Sequence, residues 1–358
     1  MKKIMIVLSC IAVVLTLCAC NSNKKEETKY TLNVVYEGGV ERHYDTYPEM
    51  TPTIHEGLEL YYDRDYKGCI EKLMYGLTKG EFDPVAYFQL GYMYYFGMGV
   101  EKDIEIAKTY FKKGAEYNEP ECVYYLGASN LLDDGNIEDA KKFFDKALEL
   151  GNPNAYLGYW FIATKYSEKT EENKAKAEEM IQKMIETKNA HALYNVGMNL
   201  ISKSLDFTDE ERKKAVEYLS LSGDFGLTVS YENAADIYDY GLLGEVNGEK
   251  AYEFFLKGAE SFEFTDWYDN VGYCYEEGVG VKQDYDKAFY YYELATHDGS
   301  EIAWFDLGRM YEEGKGVEKD LGKALQCYIN STKFKDPTAI NIAGNADISI
   351  QSILADIH

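Results

Sequence analysis

The apolar positions of this chain recur with the spacing of one face of an α-helix. Ala303, Leu307 and Tyr311 are four residues apart, so they lie on the same side of a predicted helix. A Gly-x-Gly-Val turn that begins at Gly314 ends this helix, because glycine readily adopts the left-handed conformation of a tight turn. Asp320 then provides an N-cap for a second helix. The pattern predicts a helical hairpin.

The same hairpin pattern recurs roughly every 36 residues along the chain. A glycine after the leucine of the first helix marks most copies, and Trp or Ala fills this position in two divergent ones. The markers are Gly91, Gly127, Trp160, Gly197, Ala235, Gly272 and Gly308, and a shorter unit around residues 58–73 precedes them. Because one hairpin cannot bury its apolar face alone, neighbouring hairpins must stack. The sequence therefore predicts an all-α array of about eight helical hairpins over residues 51–337.

The repeated pattern Ala-x-x-x-Leu-Gly-x-x-Tyr-x-x-Gly-x-Gly-Val-x-x-Asp-x-x-x-Ala resembles the Sel-one-like repeat, a branch of the tetratricopeptide superfamily. Three copies, identified from Ala86, Val271 and Ala303, match nearly every position of it, whereas the units at 154–189 and 228–264 lack the Gly-x-Gly-Val turn. The resemblance implies a right-handed α-solenoid. It also implies a function as a scaffold or adaptor for other proteins.

The N-terminus carries the pattern of an export signal. Two lysines precede an apolar run over residues 4–17, which is too short to span a membrane but suits the core of a signal peptide. The run ends in Leu17-Cys18-Ala19-Cys20, which resembles the lipobox of bacterial lipoproteins. We therefore expect residues 1–20 to be a signal peptide and Cys20 to carry a lipid. The alternative is an ordinary cleaved signal with an incidental cysteine.

Two further segments lie outside the repeats. Residues 21–50 are predicted to form a polar tether and then a short β-hairpin around Gly38 and Gly39. Residues 338–358 carry isoleucines without the Leu-Gly signature, and we expect them to form a helix that caps the end of the array. The predicted location is the bacterial cell envelope, either the outer membrane or the cell surface, with the lipid on Cys20 as the only membrane contact.

The net charge limits the classes of partner, and the positions of the cysteines indicate the state of their thiols. The formal net charge is −25, which repels nucleic acid and anionic lipid headgroups and favours a neutral or basic partner. Solvated acidic outer faces are the alternative explanation of this charge. Four cysteines that follow the signal peptide lie in four different repeats, and we expect them to be buried free thiols: Cys69, Cys122, Cys274 and Cys327.

The sequence contains no recognisable arrangement of catalytic residues. Its five histidines are scattered, and it has neither a His-Glu-x-x-His motif, nor a Gly-x-Ser-x-Gly elbow, nor a strand-to-helix phosphate loop. We therefore predict that the protein is not an enzyme and has no catalytic residues, metal site or cofactor.

A row of tyrosines and asparagines indicates where a partner would bind. In the tetratricopeptide superfamily the first helix of each repeat lines a concave groove, and the predicted partner-binding residues on these helices are Tyr92, Tyr125, Asn233, Asn270 and Tyr273. An alternative is that the asparagines tie adjacent repeats together. The predicted function is a protein-binding scaffold or adaptor; the alternative is a module that contacts carbohydrate or peptidoglycan. Because Arg309 is the only basic residue in the row, we expect the partner to present an internal neutral or basic segment, or a folded face, rather than a terminal carboxylate.

Overall fold

The computed structural model describes residues 52–62, 65–81, 83–202, 208–261, 268–297, 300–332 and 351. Within these ranges it contains sixteen α-helices and no strand, which confirms the all-α prediction for this part of the chain. The predicted signal peptide with Cys20, the predicted β-hairpin within 21–50 and the predicted capping helix at 338–358, apart from residue 351, lie outside the described residues. The chain divides into two compact units, residues 1–206 and 207–358.

The first unit contains four helical hairpins and one further helix. Its helices are α1 Pro52–Tyr62, α2 Tyr66–Thr78, α3 Pro84–Phe96, α4 Ile104–Glu116, α5 Pro120–Leu132, α6 Ile137–Glu149, α7 Ala155–Lys165, α8 Glu171–Glu186 and α9 Ala190–Ile201. Helices α1 to α8 pair in order as hairpins, and the first helices of successive hairpins contact one another from α3 onward. The fully buried side chains of the core include Leu90, Phe111, Phe144 and Trp160.

The second unit contains three helical hairpins preceded by a single helix. Its helices are α10 Asp209–Asp224, α11 Val229–Asp239, α12 Gly248–Glu260, α13 Tyr268–Glu277, α14 Tyr285–Thr296, α15 Glu301–Glu313 and α16 Leu321–Ser331. Helix α10 packs on α11, and the hairpins are α11 with α12, α13 with α14, and α15 with α16. Phe255, Val271, Tyr292 and Met310 lie in its buried core.

The recurring glycine of the first helix makes room for an aromatic ring of the second helix. A Cβ at Gly308 would lie 2.6 Å from Cε1 of Tyr328 on α16, and a Cβ at Gly91 would lie 2.5 Å from Cε1 of Phe111 on α4. The same relation holds for Gly127 with Phe144 and for Gly272 with Tyr292. Because real Cβ contacts are longer than these distances, only glycine permits the two helices to approach this closely.

The Gly-x-Gly turn uses its two glycines for different purposes. The first, such as Gly314 with φ 74°, adopts the left-handed conformation that ends α15. The second packs on the backbone of the preceding hairpin: a Cβ at Gly316 would lie 2.2 Å from the carbonyl oxygen of Tyr285. Asp320 is the N-cap of α16, and its Oδ1 accepts a hydrogen bond from the Lys323 N–H at 3.0 Å.

All four cysteines in the described repeats are free and buried, as predicted. Burial raises the pKa of the Cys69 and Cys274 thiols to about 12, so they remain protonated at neutral pH and act as small apolar side chains. The Sγ atom of Cys69 lies 3.7 Å from Sδ of Met93 on the next hairpin. Among the described residues, no helix is both long enough and apolar enough to cross a membrane.

The substitution Gly308→Leu is expected to lower the free energy of unfolding by about 1–3 kcal/mol, because its side chain would overlap the ring of Tyr328. Contacts in a repeat array are mainly between neighbours, so the loss of hydrogen-exchange protection should concentrate in α13 to α16. Gln326→Leu, which adds bulk at an exposed position of α16, is the control. A uniform loss of protection across α11 to α16 would contradict this prediction.

Candidate partner-binding face

Two of the five predicted binding residues lie in the first unit and pack together. The rings of Tyr92 and Tyr125 are 5.7 Å apart and nearly perpendicular, and Phe111 stacks on Tyr125 at 5.2 Å. The exposed fractions of Tyr92 and Tyr125 are only 3% and 6%. These rings therefore belong to the aromatic core of the unit and present little surface to a partner, and their binding role stays a prediction.

Of the two predicted asparagines, Asn233 bonds through its side chain to its own helix. The Nδ2 of Asn233 donates to the carbonyl oxygen of Val229 at 2.9 Å, one turn earlier in α11. Two asparagines of the first unit that are not among the five predicted residues, Asn195 and Asn130, donate in the same way to the carbonyls of His191 and Leu126, at 2.8 and 2.7 Å. These bonds fix the amide against the helix surface. Asn270 is the third residue of α13, and its backbone N–H donates to Oδ1 of Asp269 at 2.7 Å. For Asn233, the hydrogen bond lies within one helix and not between repeats.

Three carboxylates on α11 form part of the same face in the second unit. Glu232, Asp236 and Asp239 are four and three residues apart, so they lie on one side of the helix, and all three are partly buried. Among the described residues, no lysine, arginine or histidine forms an ion pair with any of them. The described residues of the second unit therefore provide no ion-pair partner for this negative charge.

The surroundings of these carboxylates disfavour their ionised form. Burial, followed by the charge of Asp269, raises the pKa of Glu232 to about 7. Burial, followed by the charges of Glu232 and Asp239, raises the pKa of Asp236 to about 7. Burial also raises the pKa of Asp239. Near neutral pH this row holds carboxyl groups that a nearby cation would ionise fully.

Two exposed tyrosines adjoin the carboxylates. Tyr240 follows α11 directly and is 51% exposed, and Tyr273 on α13 is 38% exposed. Burial, followed by the charge of Asp239 and the neighbouring Tyr240, raises the pKa of Tyr273 to about 12. Helices α11 and α13 share one hydrophobic cluster, which contains Ala235, Val271 and Cys274. We call the surface formed by Glu232, Asp236, Asp239, Tyr240 and Tyr273 the acidic aromatic face. Of the five predicted residues, Tyr273 belongs to this face and Asn233 lies beside it on α11.

Arg309, the single arginine of the predicted row, already forms ion pairs with two carboxylates. The Nη2 of Arg309 lies 2.8 Å from Oε2 of Glu276 and 2.8 Å from Oδ1 of Asp306. The buried carboxylate of Glu276 also accepts a hydrogen bond from the hydroxyl of Tyr292 at 2.8 Å. The network joins α13, α14 and α15, and it leaves the guanidinium neutralised by two carboxylates. A partner's terminal carboxylate would have to displace them.

A second polar network, which sequence reasoning missed, runs along the starts of the first helices in the first unit. The Nδ2 of Asn152 donates to Oε2 of Glu121 at 2.6 Å, and the Nδ2 of Asn189 donates to Oδ1 of Asn154 at 2.8 Å. All four side chains are buried. We call each of these two hydrogen bonds an amide joint. Each joint links a residue just before the first helix of one hairpin to a residue near the start of the first helix of the preceding hairpin. The signal available in the sequence for Asn154 and Asn189 was an asparagine directly before the Ala that opens a helix.

No metal-binding group of three or more His, Cys, Asp or Glu side chains is present among the described residues.

The family model described as Sel1 repeat matches residues 84–116, 120–152, 190–224, 229–261, 268–300 and 303–331, which is more than half of the chain. The chain belongs to the Sel1 repeat family. The hairpin of α7 and α8, which carries Trp160 in place of the glycine, lies between two matched Sel1 repeats and has the same two-helix form.

Several solved structures are similar to this Sel1 repeat chain. A Sel1 repeat protein from Oxalobacter formigenes is 22% identical over 80% of this chain and 99% of its own, with a TM-score of 0.42. The antigen c5321 of uropathogenic Escherichia coli, which has an SLR fold, is 22% identical over 84% of this chain and 68% of its own, with a TM-score of 0.40. The immunity protein Pa5087 from Pseudomonas aeruginosa is 18% identical over 61% and 85%, with a TM-score of 0.42. No curated protein matches this chain.

Protonation of the α11 carboxylates is expected to stabilise the second unit. A carboxyl group with a raised folded pKa binds its proton more tightly in the folded state, so its stabilising contribution is complete below the unfolded pKa of about 4. For Glu232 and Asp236 this contribution is lost as the pH rises through about 7. Asp236→Asn, which cannot ionise, should therefore raise the free energy of unfolding at pH 8 by on the order of 1 kcal/mol, and by less at pH 5.

Urea unfolding at the two pH values checks this expectation. Glu253→Gln, which removes one charge from an exposed position of α12, is the matched control and should change stability little at either pH. Equal stabilisation by Asp236→Asn at pH 5 and pH 8 would show that the carboxylate is not the cause.

Proposed function

We propose that this protein is a non-enzymatic scaffold or adaptor that is anchored by a lipid at the bacterial cell envelope and binds a protein partner on its helix surfaces. Sel1 repeat proteins generally act as protein-interaction scaffolds. The observation that supports a binding role most strongly in this chain is the acidic aromatic face of the second unit. There, exposed tyrosine rings adjoin carboxylates that have no cationic partner among the described residues.

The chemistry of this face favours a protein partner with basic or neutral character. Tyrosine provides a large contact area at a small entropic cost, and the adjacent asparagine amides supply hydrogen-bonding groups. The pairing of Arg309 with Glu276 and Asp306 argues against capture of a terminal carboxylate. Together with the net charge of −25, it also argues against nucleic acid as a partner.

The proposed anchoring rests on the sequence before the repeats. The residues Leu17-Cys18-Ala19-Cys20 end an apolar run of the length of a signal peptide core, and a polar segment follows them. A lipid on Cys20 and a flexible tether would hold the repeats close to the membrane while leaving their surfaces accessible.

Cys20→Ser is expected to abolish lipid attachment, because serine has no thiol to receive the diacylglycerol group. Metabolic labelling with a fatty-acid analogue, followed by membrane fractionation, measures this directly. Cys18→Ser is the control and should leave both labelling and fractionation unchanged. Labelling that persists in the Cys20→Ser protein would refute the proposed anchor.

Capture with the membrane-anchored protein as bait should retain a protein rather than a glycan. The combined change Asn233→Ala and Asn270→Ala should reduce that capture, because it removes amide groups beside the exposed tyrosines of the second unit. Asn330→Ala on α16, outside the predicted row, provides a control for loss of an amide. Retention of peptidoglycan fragments without protein would instead support the carbohydrate-binding alternative, for which exposed aromatic rings are also suited.

A further inference from the structure

The last described hairpin carries an exposed apolar side chain where an earlier hairpin contacts its successor. In α5 the residue six positions before the marker glycine is Glu121, whose Oε2 accepts from Nδ2 of Asn152 at 2.6 Å. Asn152 lies just before α7, the first helix of the next hairpin, and Glu121 is only 6% exposed. In α15 the equivalent residue is Ile302, which is 49% exposed. The side of α15 that would face a further hairpin is therefore open at this position.

A second position of the same hairpin shows an incomplete copy of a buried network. Four residues after the marker of α13, the carboxylate of Glu276 accepts from the hydroxyl of Tyr292 at 2.8 Å and pairs with Arg309 of the next hairpin at 2.8 Å. The equivalent residues of the last hairpin are Glu312 and Tyr328, and they form the same hydrogen bond at 2.6 Å. Glu276 is 3% exposed, whereas Glu312 is only partly buried. The residue that would correspond to Arg309 belongs to a position beyond α16.

The sequence beyond α16 repeats the sequence that begins α3. Residues 336–344 read Asp-Pro-Thr-Ala-Ile-Asn-Ile-Ala-Gly, and residues 83–91 read Asp-Pro-Val-Ala-Tyr-Phe-Gln-Leu-Gly. The two segments align without a gap and share the Asp-Pro start, the alanine and the final glycine. Gly344 follows Gly308 by 36 residues, which is also the distance from Gly272 to Gly308. Both the residues and the spacing are those of a ninth first helix.

The Asp-Pro pair indicates where such a helix would begin. In α3, Asp83 is the N-cap, its Oδ1 accepts from the Val85 N–H at 2.9 Å, and Pro84 is the first helical residue. The same chemistry at Asp336 and Pro337 predicts a helix that begins at residue 337.

The predicted helix has no signal that would stop it at the usual length. Gly-x-Gly turns end α3, α13 and α15, whereas no glycine follows Gly344. A helix that begins at residue 337 can therefore continue through residue 351. Gln351, the one described residue of this segment, is helical and exposed.

We infer that residues 337–351 form the first helix of a ninth repeat and pack on the open side of α15 and α16. In this register Asn345 takes the position of Arg309, one residue after the marker, and its amide donates to the carboxylate of Glu312. The turn before residue 337 covers Ile302. The chain thus completes its own last hairpin contact with a helix that has no second helix.

The short connection after α16 favours this segment over a second copy of the protein as the occupant. Four residues, 297–300, connect α14 to α15, and five residues, 332–336, connect α16 to the proposed helix. A segment held by so short a connection reaches the open side at an effective concentration on the order of millimolar. The end of the array is then closed by the chain itself, and copies do not stack end to end.

An added charge in the full chain tests the register. Asn345→Arg should raise the midpoint of thermal unfolding by about 2–4 °C, because it gives the carboxylate of Glu312 a guanidinium partner. In a Glu312→Gln background the same change should have no effect. Ser349→Arg adds the same charge at the position of the exposed Glu277 and Glu313, and it is the control.

A failure of Asn345→Arg to raise the midpoint would overturn the proposed register. An equal rise with Ser349→Arg, or an equal rise in the Glu312→Gln background, would show that a lower net charge is the cause, and the inference would fail as well.

Hydrogen exchange of two truncated chains tests the docking itself. A chain that ends at Asp336 should lose protection in α15 and α16 and keep it in α11 and α12, which would show that the unit remains folded. A chain that ends at Gln351 retains the proposed helix and should show the protection of the full chain. Unchanged protection of α15 and α16 in the shorter chain would mean that residues 337–351 do not cover them, and the inference would be wrong.

Sedimentation of the full chain distinguishes a second copy as the occupant. We expect a monomer at micromolar concentration. A dimer whose α15 and α16 lose protection on dilution would identify a second copy on this side and overturn the inference. Neither result bears on the scaffold function, whose capture experiment changes Asn233 and Asn270 on α11 and α13.

Discussion

The contact between a glycine of one helix and an aromatic ring of the next sets the geometry of each repeat that contains it. At Gly91, Gly127, Gly272 and Gly308 the backbone of the first helix lies directly against a ring of the second. A glycine inside a helix costs about 1 kcal/mol relative to alanine. The buried ring offsets that cost, since complete burial of a large apolar side chain contributes about 1.5–3 kcal/mol. The separation of the two helices within a hairpin follows from this contact.

Much of this architecture could be read from the sequence, because the interactions that define it are local. The spacing of Ala303, Leu307 and Tyr311, the left-handed turn at Gly314 and the cap at Asp320 all act within one hairpin, and each is found as expected. The buried free cysteines could also be predicted, because each occupies a position where other repeats carry an apolar residue. Local periodicity and capping are sufficient for statements of this kind.

The candidate binding surface could be read less well, because exposure depends on contacts between repeats. Tyr92 and Tyr125 lie outside the repeated apolar positions of their helices, yet both belong to the core, where Phe88 packs on Tyr92 and Phe111 packs on Tyr125. The raised pKa values of Glu232 and Asp236 depend on burial and on charges that include Asp269 of another helix. Periodicity places these carboxylates on one side of α11, but it does not reveal that the described residues contain no cation to pair with them.

The buried amide joints of the first unit bear on how such a protein changes its length during evolution. In both joints a side-chain amide donates to a side-chain oxygen: the amide of Asn152 donates to the carboxylate of Glu121, and that of Asn189 donates to the amide oxygen of Asn154. Loss of the whole hairpin between them would bring the amide of Asn189 against the carboxylate of Glu121, again a donor facing an acceptor. A duplicated hairpin would likewise carry its own donor and acceptor. Whole repeats can therefore be gained or lost here without stranding a buried polar group, whereas the insertion of part of a repeat would strand one.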